Sequence, residues 1–258
     1  MSSLSVVIIT LNEERNLAGC LDSVSWADEK VVVDSGSSDG TVALAQQHGA
    51  RVLTRAFTNY ADQKSFALAQ ATGEWILSLD ADERVTPELA AEMRQAIAAP
   101  GDASAFSILR LDRLLGRWVR HGQGQSQYKL RLIRRGQGQW QGTVHEVLVA
   151  SGPVRRLRAP LLHYARDTVS DIVRKTDRYT TIEAETLHAA AVRPSLWKML
   201  LYPPGLCLYL YVVRLGFLDG AQGLVLAMLT AYYTFLKRAK LWELSRPKDN
   251  TEASGECY

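Results

Sequence analysis

Trp75-Ile76-Leu77-Ser78-Leu79-Asp80-Ala81-Asp82-Glu83 is a short, mostly apolar run that ends in three carboxylates within four positions. Its length and large apolar side chains predict a buried β-strand. Two carboxylates spaced by one residue at the end of a strand can both reach one hard divalent cation, with its other positions left for phosphate oxygens and water. Acidic residues here would also cap a following helix and sit well in its dipole. Placement at the end of a central strand favours the cation.

Working outward, runs of the same kind recur at Leu4 to Thr10, Lys30 to Asp34 and Arg51 to Thr54. Between them, residues 13–23, 39–49 and 60–71 repeat their apolar positions at three and four, so the first hundred residues read β-α-β-α-β-α-β. That pattern predicts a parallel sheet covered by helices, with ligands bound outside the carboxyl ends of the strands. A second candidate site follows directly: Asp34-Ser35-Gly36-Ser37-Ser38-Asp39-Gly40-Thr41 comes just after the second strand. Its Gly and Ser residues allow close backbone approach to a ligand, and Asp34 can accept hydrogen bonds from a base or ribose. A plain turn and helix cap is the alternative. A calcium loop is excluded because Gly36 and Ala45 stand where acidic ligands would be needed. No phosphate-binding P-loop is present, and Gly122-Gln123-Gly124 is followed by Gln127 where a dinucleotide fingerprint needs its third glycine.

From about 105 to 165 the helical pattern lapses, and Ser107 to Leu111, Tyr128 to Ile133, Val144 to Val149 and Leu161 to Tyr164 read as further strands in a mixed sheet. A polar amphipathic helix is predicted over 168–189. The charge is divided: residues 1–105 hold 7 Lys and Arg against 15 Asp and Glu, while residues 110–175 hold 14 against 4. An acidic half suits a cation site and a basic half an anionic partner. Nucleic acid is not expected as that partner, because no recognition helix or RNA motif accompanies the charge. Cys20, Cys207 and Cys257 give no disulfide framework or zinc site, and the first ten residues have no signal-peptide pattern. A reducing cytosolic setting is therefore expected.

Met199 to Val213 and Gly220 to Leu236 carry no charge over 15 and 17 residues. A 17-residue helix is about 25 Å long, short of the roughly 30 Å hydrocarbon core, and Pro203 and Pro204 are expected to interrupt the first stretch. Trp197, Tyr202, Tyr209, Tyr211, Tyr232, Tyr233 and Trp242, with Lys198, Lys237, Arg238 and Lys240 at the ends, suit a helical hairpin at about 195–241 lying in a membrane interface. A dimerisation hairpin or core helix pair is the alternative. Residues 246–258 are polar and expected to be disordered.

The opening Val7-Ile8-Ile9-Thr10-Leu11-Asn12-Glu13-Glu14, the Asp34 loop and the Asp80-Ala81-Asp82 motif, in this order and at these strand ends, resemble the inverting glycosyltransferases of family 2. The resemblance implies the α/β GT-A nucleotide-diphosphosugar transferase fold: a mixed, mainly parallel sheet flanked by helices, followed here by the membrane-associating hairpin. It implies a catalytic domain over 1–165, with a nucleotide and metal half at 1–100 and an acceptor half at 101–165, then a helical region over 166–245. Trp140 to Glu146, Leu162-His163, Lys175, Tyr179, and Gly216 to Gly220 with Gly223 and Ala227 are similar to the bacterial lipopolysaccharide core β-1,4-glucosyltransferase subgroup. The Q-x-x-R-W motif and spanning helices of processive members are missing, so polymer synthesis is not expected.

Carried over by position, the resemblance implies that Thr10, Asn12, Glu14, Asp34, Lys64 and Asp80 contact the nucleotide sugar, and that Asp82 and Asp80 hold a divalent metal, Mg2+ or Mn2+. It places His145 and Glu146 at the acceptor side. A sugar hydroxyl needs a base within hydrogen-bond reach, and Glu146 is preferred for it, with His145 as positioning group or further metal ligand. The implied reaction is inverting transfer of a hexose, glucose from UDP-glucose being the expected donor, to a sugar hydroxyl of a lipid-linked glycan such as a lipopolysaccharide inner core. The expected location is the cytoplasmic face of the bacterial inner membrane. Transfer to a polyprenyl phosphate, which needs no base, and a non-catalytic sugar-nucleotide-binding scaffold are the rival readings.

Overall fold

The computed structural model describes residues 2–124, 127–142, 146–166 and 168–246. The chain divides into two units, one of residues 1–113 with 126–165 and the other of 114–125 with 166–258. The expected acceptor half at 101–165 is therefore not continuous: its segment 114–125 clusters with the C-terminal helices.

In the first unit, strands β1 (Leu4–Thr10), β2 (Glu29–Asp34), β3 (Arg51–Thr54) and β4 (Trp75–Asp80) alternate with helices α1 (Glu14–Ser23), α2 (Thr41–Gln47) and α3 (Tyr60–Gln70). A short β5 (Glu83–Val85) and α4 (Pro87–Ala98) follow, and Thr86 caps α4 by accepting from the Leu89 amide. The acceptor half contributes β6 (Ala105–Leu114), β8 (Gln127–Arg134), β9 (Gly138–Gln141), β10 (Val147–Ala150) and β11 (Val154–Arg166), with β7 (Arg117–Val119) in the intervening segment. Of the expected strand at Val144 to Val149, residues 143–145 lie outside the described residues and β10 begins at Val147.

The main sheet runs β3-β2-β1-β4-β8-β6-β11-β5, and β9 pairs with β10 in a separate ribbon. The β1–β2, β2–β3 and β1–β4 pairs are parallel, and β4–β8, β6–β8 and β11–β5 are antiparallel. The central runs are continuously apolar because both faces are covered. Leu4, Val6, Ile8, Val32, Trp75, Leu77 and Leu79 join one core with residues of α1, α2 and α4. Val7, Val31, Val33 and Ile76 join the other with residues of α3, β9 and β10. Register then fixes the site: Thr10 pairs with Asp34 and Ile9 with Asp80, so the parallel strands end together.

The second unit is helical: α5 (Val169–Ala189), α6 (Leu196–Leu208), a π-helical turn over Tyr209–Val213, and α7 (Ala221–Leu244). Pro203 and Pro204 do not interrupt α6, contrary to expectation. Their fixed φ is itself helical, so the loss is two backbone hydrogen bonds and some crowding of the preceding turn, and α6 packs along α7. Close backbone approach explains two glycines here. A Cβ at Gly223 would lie 1.8 Å from the Gly216 carbonyl oxygen, and one at Gly216 2.7 Å from that of Leu210. Asp219 accepts from the Arg120 and His121 amides at 3.1 and 2.8 Å, and its other oxygen lies 3.0 Å from His121 Nδ1. These contacts bind 114–125 to the helical unit. Residues 247–258, the expected disordered tail, lie outside the described residues.

Glu29 ties three strands together, accepting from Ser5, from Arg51 and from the backbone and side chain of Thr72. Burial alone would raise its carboxyl, but these hydrogen bonds lower it from 4.5 to about 2. A depressed folded-state value means the contribution is complete above the ordinary value and lost as pH falls toward 2. Glu29→Gln is therefore expected to lower the unfolding midpoint at pH 7, with the gap to the wild type closing between pH 4.5 and 2 in thermal melts.

Candidate active site

The loops after β1 and β2 are stitched to each other. Asp34, 1% exposed, accepts from Thr10 Oγ1 at 3.0 Å, from the Gly36 and Ser37 amides at 2.9 and 2.8 Å, and from Ser37 Oγ. Burial would raise its carboxyl, yet these donors hold it below the ordinary value. Asn12, at φ 55°, donates from its amide to Ser37 Oγ at 2.8 Å and accepts from the Ser38 amide at 2.8 Å. Glu14 accepts from the Gly40 amide at 3.1 Å. Thr10, Asn12, Glu14 and Asp34 thus lie in one pair of loops at the carboxyl end of the sheet.

Asp80, at the end of β4, is gripped on both oxygens. Lys64 Nζ on α3 lies 2.8 Å from Oδ1, and an Arg131 terminal nitrogen on β8 lies 2.6 Å from Oδ2. The same Arg131 nitrogen is 2.6 Å from Glu83 Oε1, and Glu83 Oε2 accepts from the Asp80 amide at 3.0 Å. Burial opposes ionisation of Asp80, but Arg131 and Lys64 hold its carboxyl well below the usual range. Glu83 is fully buried, which pushes its carboxyl up against the pull of Arg131.

Asp82 meets a different partner. His163 on β11 lies between two carboxylates, with Nε2 3.3 Å from Asp82 Oδ2 and Nδ1 2.9 Å from Asp112 Oδ1, and Arg110 Nε is 2.9 Å from the same Asp112 oxygen. Burial pulls the imidazole down, but Asp112 and Asp82 push it up to about 9. A cation at Nε2 would have to displace that proton. Among the described residues no three His, Cys, Asp or Glu side chains form a metal-holding group. Asp82 and His163 still offer one oxygen and one nitrogen, and Asp112 on Nδ1 would orient the imidazole. They fit a divalent cation that takes its remaining ligands from a diphosphate and water. Asp80, with both oxygens engaged, fits less directly.

Lys64, expected beside the nucleotide, is 4% exposed; it also lies 3.0 Å from Glu146 Oε1 and 4.6 Å from the centre of the Trp140 ring. Asp80, Lys64 and Glu146 thus meet at one end of the sheet, with the Asp82–His163 pair two residues beyond Asp80. His145 lies outside the described residues. The sequence reading assigned no role to Arg131, Glu83, His163, Asp112 or Trp140. Glu83, Trp140 and His163 stand in the motif stretches quoted above, and Arg131 lies in the expected strand Tyr128 to Ile133 among several basic residues; its burial comes from long-range pairing.

The sequence model of Glycosyl transferase family 2 matches residues 5–157. The chain belongs to this family. It is a glycosyltransferase, and its first unit has the GT-A fold. This glycosyltransferase is 34% identical, over 93% of its own length and 92% of the relative's, to the lipopolysaccharide core biosynthesis glycosyltransferase LpsC of Rhizobium meliloti. An uncharacterized glycosyltransferase of Rickettsia typhi is 29% identical over 98% of this chain and 91% of its own. Among solved structures, glucosyl-3-phosphoglycerate synthase from Mycobacterium tuberculosis, with Mn2+, UDP-glucose and phosphoglyceric acid, gives a TM-score of 0.47 at 16% identity, covering 75% of this chain and 81% of that one.

Removing the cation of a buried ion cluster leaves its carboxylates unpaired. Arg131→Met is therefore expected to cost about 3–5 kcal/mol of folding stability, read as a fall in the urea unfolding midpoint.

Proposed function

We propose that this glycosyltransferase transfers a hexose, glucose from UDP-glucose being the favoured donor, with inversion to a sugar hydroxyl of a lipid-linked glycan of the lipopolysaccharide core type. The observation that carries this reading is the pair of contact sets after β4 of a family 2 domain, Asp80–Lys64–Glu146 and Asp82–His163. The likeness to LpsC over nearly the whole chain supports the acceptor class. Thr10, Asn12, Glu14 and Asp34 form the cradle for the nucleotide, with Asp34 setting the shape of both loops. Asp82 and His163 would hold Mg2+ or Mn2+, with Asp80 beside them; when bound, the cation neutralises charge on the departing diphosphate.

This chain's own residues supply the rest. Glu146 removes the proton from the attacking hydroxyl as it approaches the anomeric carbon. Arg131 keeps Asp80 and Glu83 in place, so that the turn carrying Asp82 has one conformation. The basic acceptor half, including Arg110, Lys129 and Arg134, suits phosphates or acidic sugars on the acceptor.

The helical unit supports a membrane role. Leu196–Val213 is long and apolar enough to cross a membrane, yet only 11% of it is buried. Trp197 is 74% exposed, with Leu200, Leu201, Leu208 and Val213 near 60%. We place this surface in the cytoplasmic leaflet, where it brings enzyme and acceptor onto one plane.

Glu146→Gln is expected to lower kcat by about 10² to 10⁴ with donor KM nearly unchanged, and Asp82→Ala or a chelator to abolish transfer. These are read as UDP release from UDP-glucose with lipopolysaccharide core oligosaccharide as acceptor. Full activity of Glu146→Gln would point instead to an acceptor already ionised, such as a polyprenyl phosphate. The chain should also sediment with anionic phospholipid vesicles, and Leu200→Glu with Leu201→Glu should weaken that binding roughly tenfold or more. A detergent-free soluble dimer that ignores vesicles would make the same surface a subunit interface.

A further inference from the structure

We infer that Lys64 is a positioning residue that aims Glu146 at the acceptor, and is not a nucleotide contact; this rests on Glu146 being the base. An ammonium has three donor protons. Two directions are taken by Asp80 Oδ1 at 2.8 Å and Glu146 Oε1 at 3.0 Å, and the charge sits 4.6 Å from the centre of the Trp140 ring. The side chain is 5% exposed, on a helix that also buries Gln63 and Ala67. Little remains of that ammonium for a phosphate to reach.

Glu146 is held by this contact. It lies in irregular chain just before β10, and among the described residues Lys64 is its one hydrogen-bond and ion-pair partner. Oε1 is held by Lys64 while Oε2 has no partner among the described residues. A carboxylate with one oxygen fixed and the other open is arranged to take a proton in one direction. Asp80, on the other side of the ammonium, ties that direction to the end of β4. The indole beneath favours a cation at this spot, and it comes from β9, the strand next to β10. Lys64 therefore joins the donor side of the sheet to the ribbon that carries the base.

The test is a double-mutant cycle on the full chain with UDP-glucose and core oligosaccharide, plus UDP affinity by calorimetry. Lys64→Met is expected to reduce kcat about 10²-fold while UDP affinity stays within about threefold. In the Glu146→Gln background the same change should cost no more than about threefold, because residues acting as one unit are non-additive. If Lys64→Met does not melt cooperatively, Lys64→Arg, which keeps the buried charge but moves the donor, is read in the same cycle, with about a tenfold kcat loss expected. Tenfold weaker UDP binding with kcat preserved, or losses that multiply in the double variant, would overturn the inference. Full activity of Glu146→Gln alone would instead remove the base reading on which it rests.

Discussion

One guanidinium nitrogen of Arg131 lies 2.6 Å from Asp80 and 2.6 Å from Glu83, and the carboxyl end of β4 is organised around that bridge. Two carboxylates packed this closely in a buried place repel each other and cannot both be ionised without a cation between them. Because Glu83 also accepts from the Asp80 amide, the turn Asp80-Ala81-Asp82 is closed on itself and on β8. Asp82 is then left free to meet His163 on β11, a strand from the other side of the sheet. Remove the guanidinium, and neither the spacing of the two aspartates nor the pairing of β4 with β8 has its electrostatic support.

The same economy governs the loops after β1 and β2. The buried Asp34 accepts four hydrogen bonds from its own loop and from Thr10, so the carboxylate that looked like a ligand group also keeps its loop in shape. Such a group acts on a ligand through the surface it builds as much as through its own charge. In the helical unit, Gly216 and Gly223 allow backbones to touch, and Asp219 satisfies the two amides of the segment that docks there. This stretch of the subgroup resemblance therefore has a packing role in the helical unit.

Sequence by itself determined the layered α/β order, the two helix-covered faces and the strand ends at Thr10, Asp34 and Asp80. Local apolar periodicity fixes these, because each strand must bury both faces and each helix one stripe. It also exposed the two charge-free stretches of the helical unit, since their composition is a property of neighbouring residues. Only tertiary structure decided that Arg131 bridges Asp80 and Glu83, that His163 meets Asp82, that Lys64 turns from solvent toward Glu146, and that residues 114–125 cluster with the helical unit. Each of these depends on contacts between residues 48 to 98 positions apart, which no local pattern encodes. The charge of a side chain is legible in the sequence, but its partner is chosen by where the sheet brings the backbone.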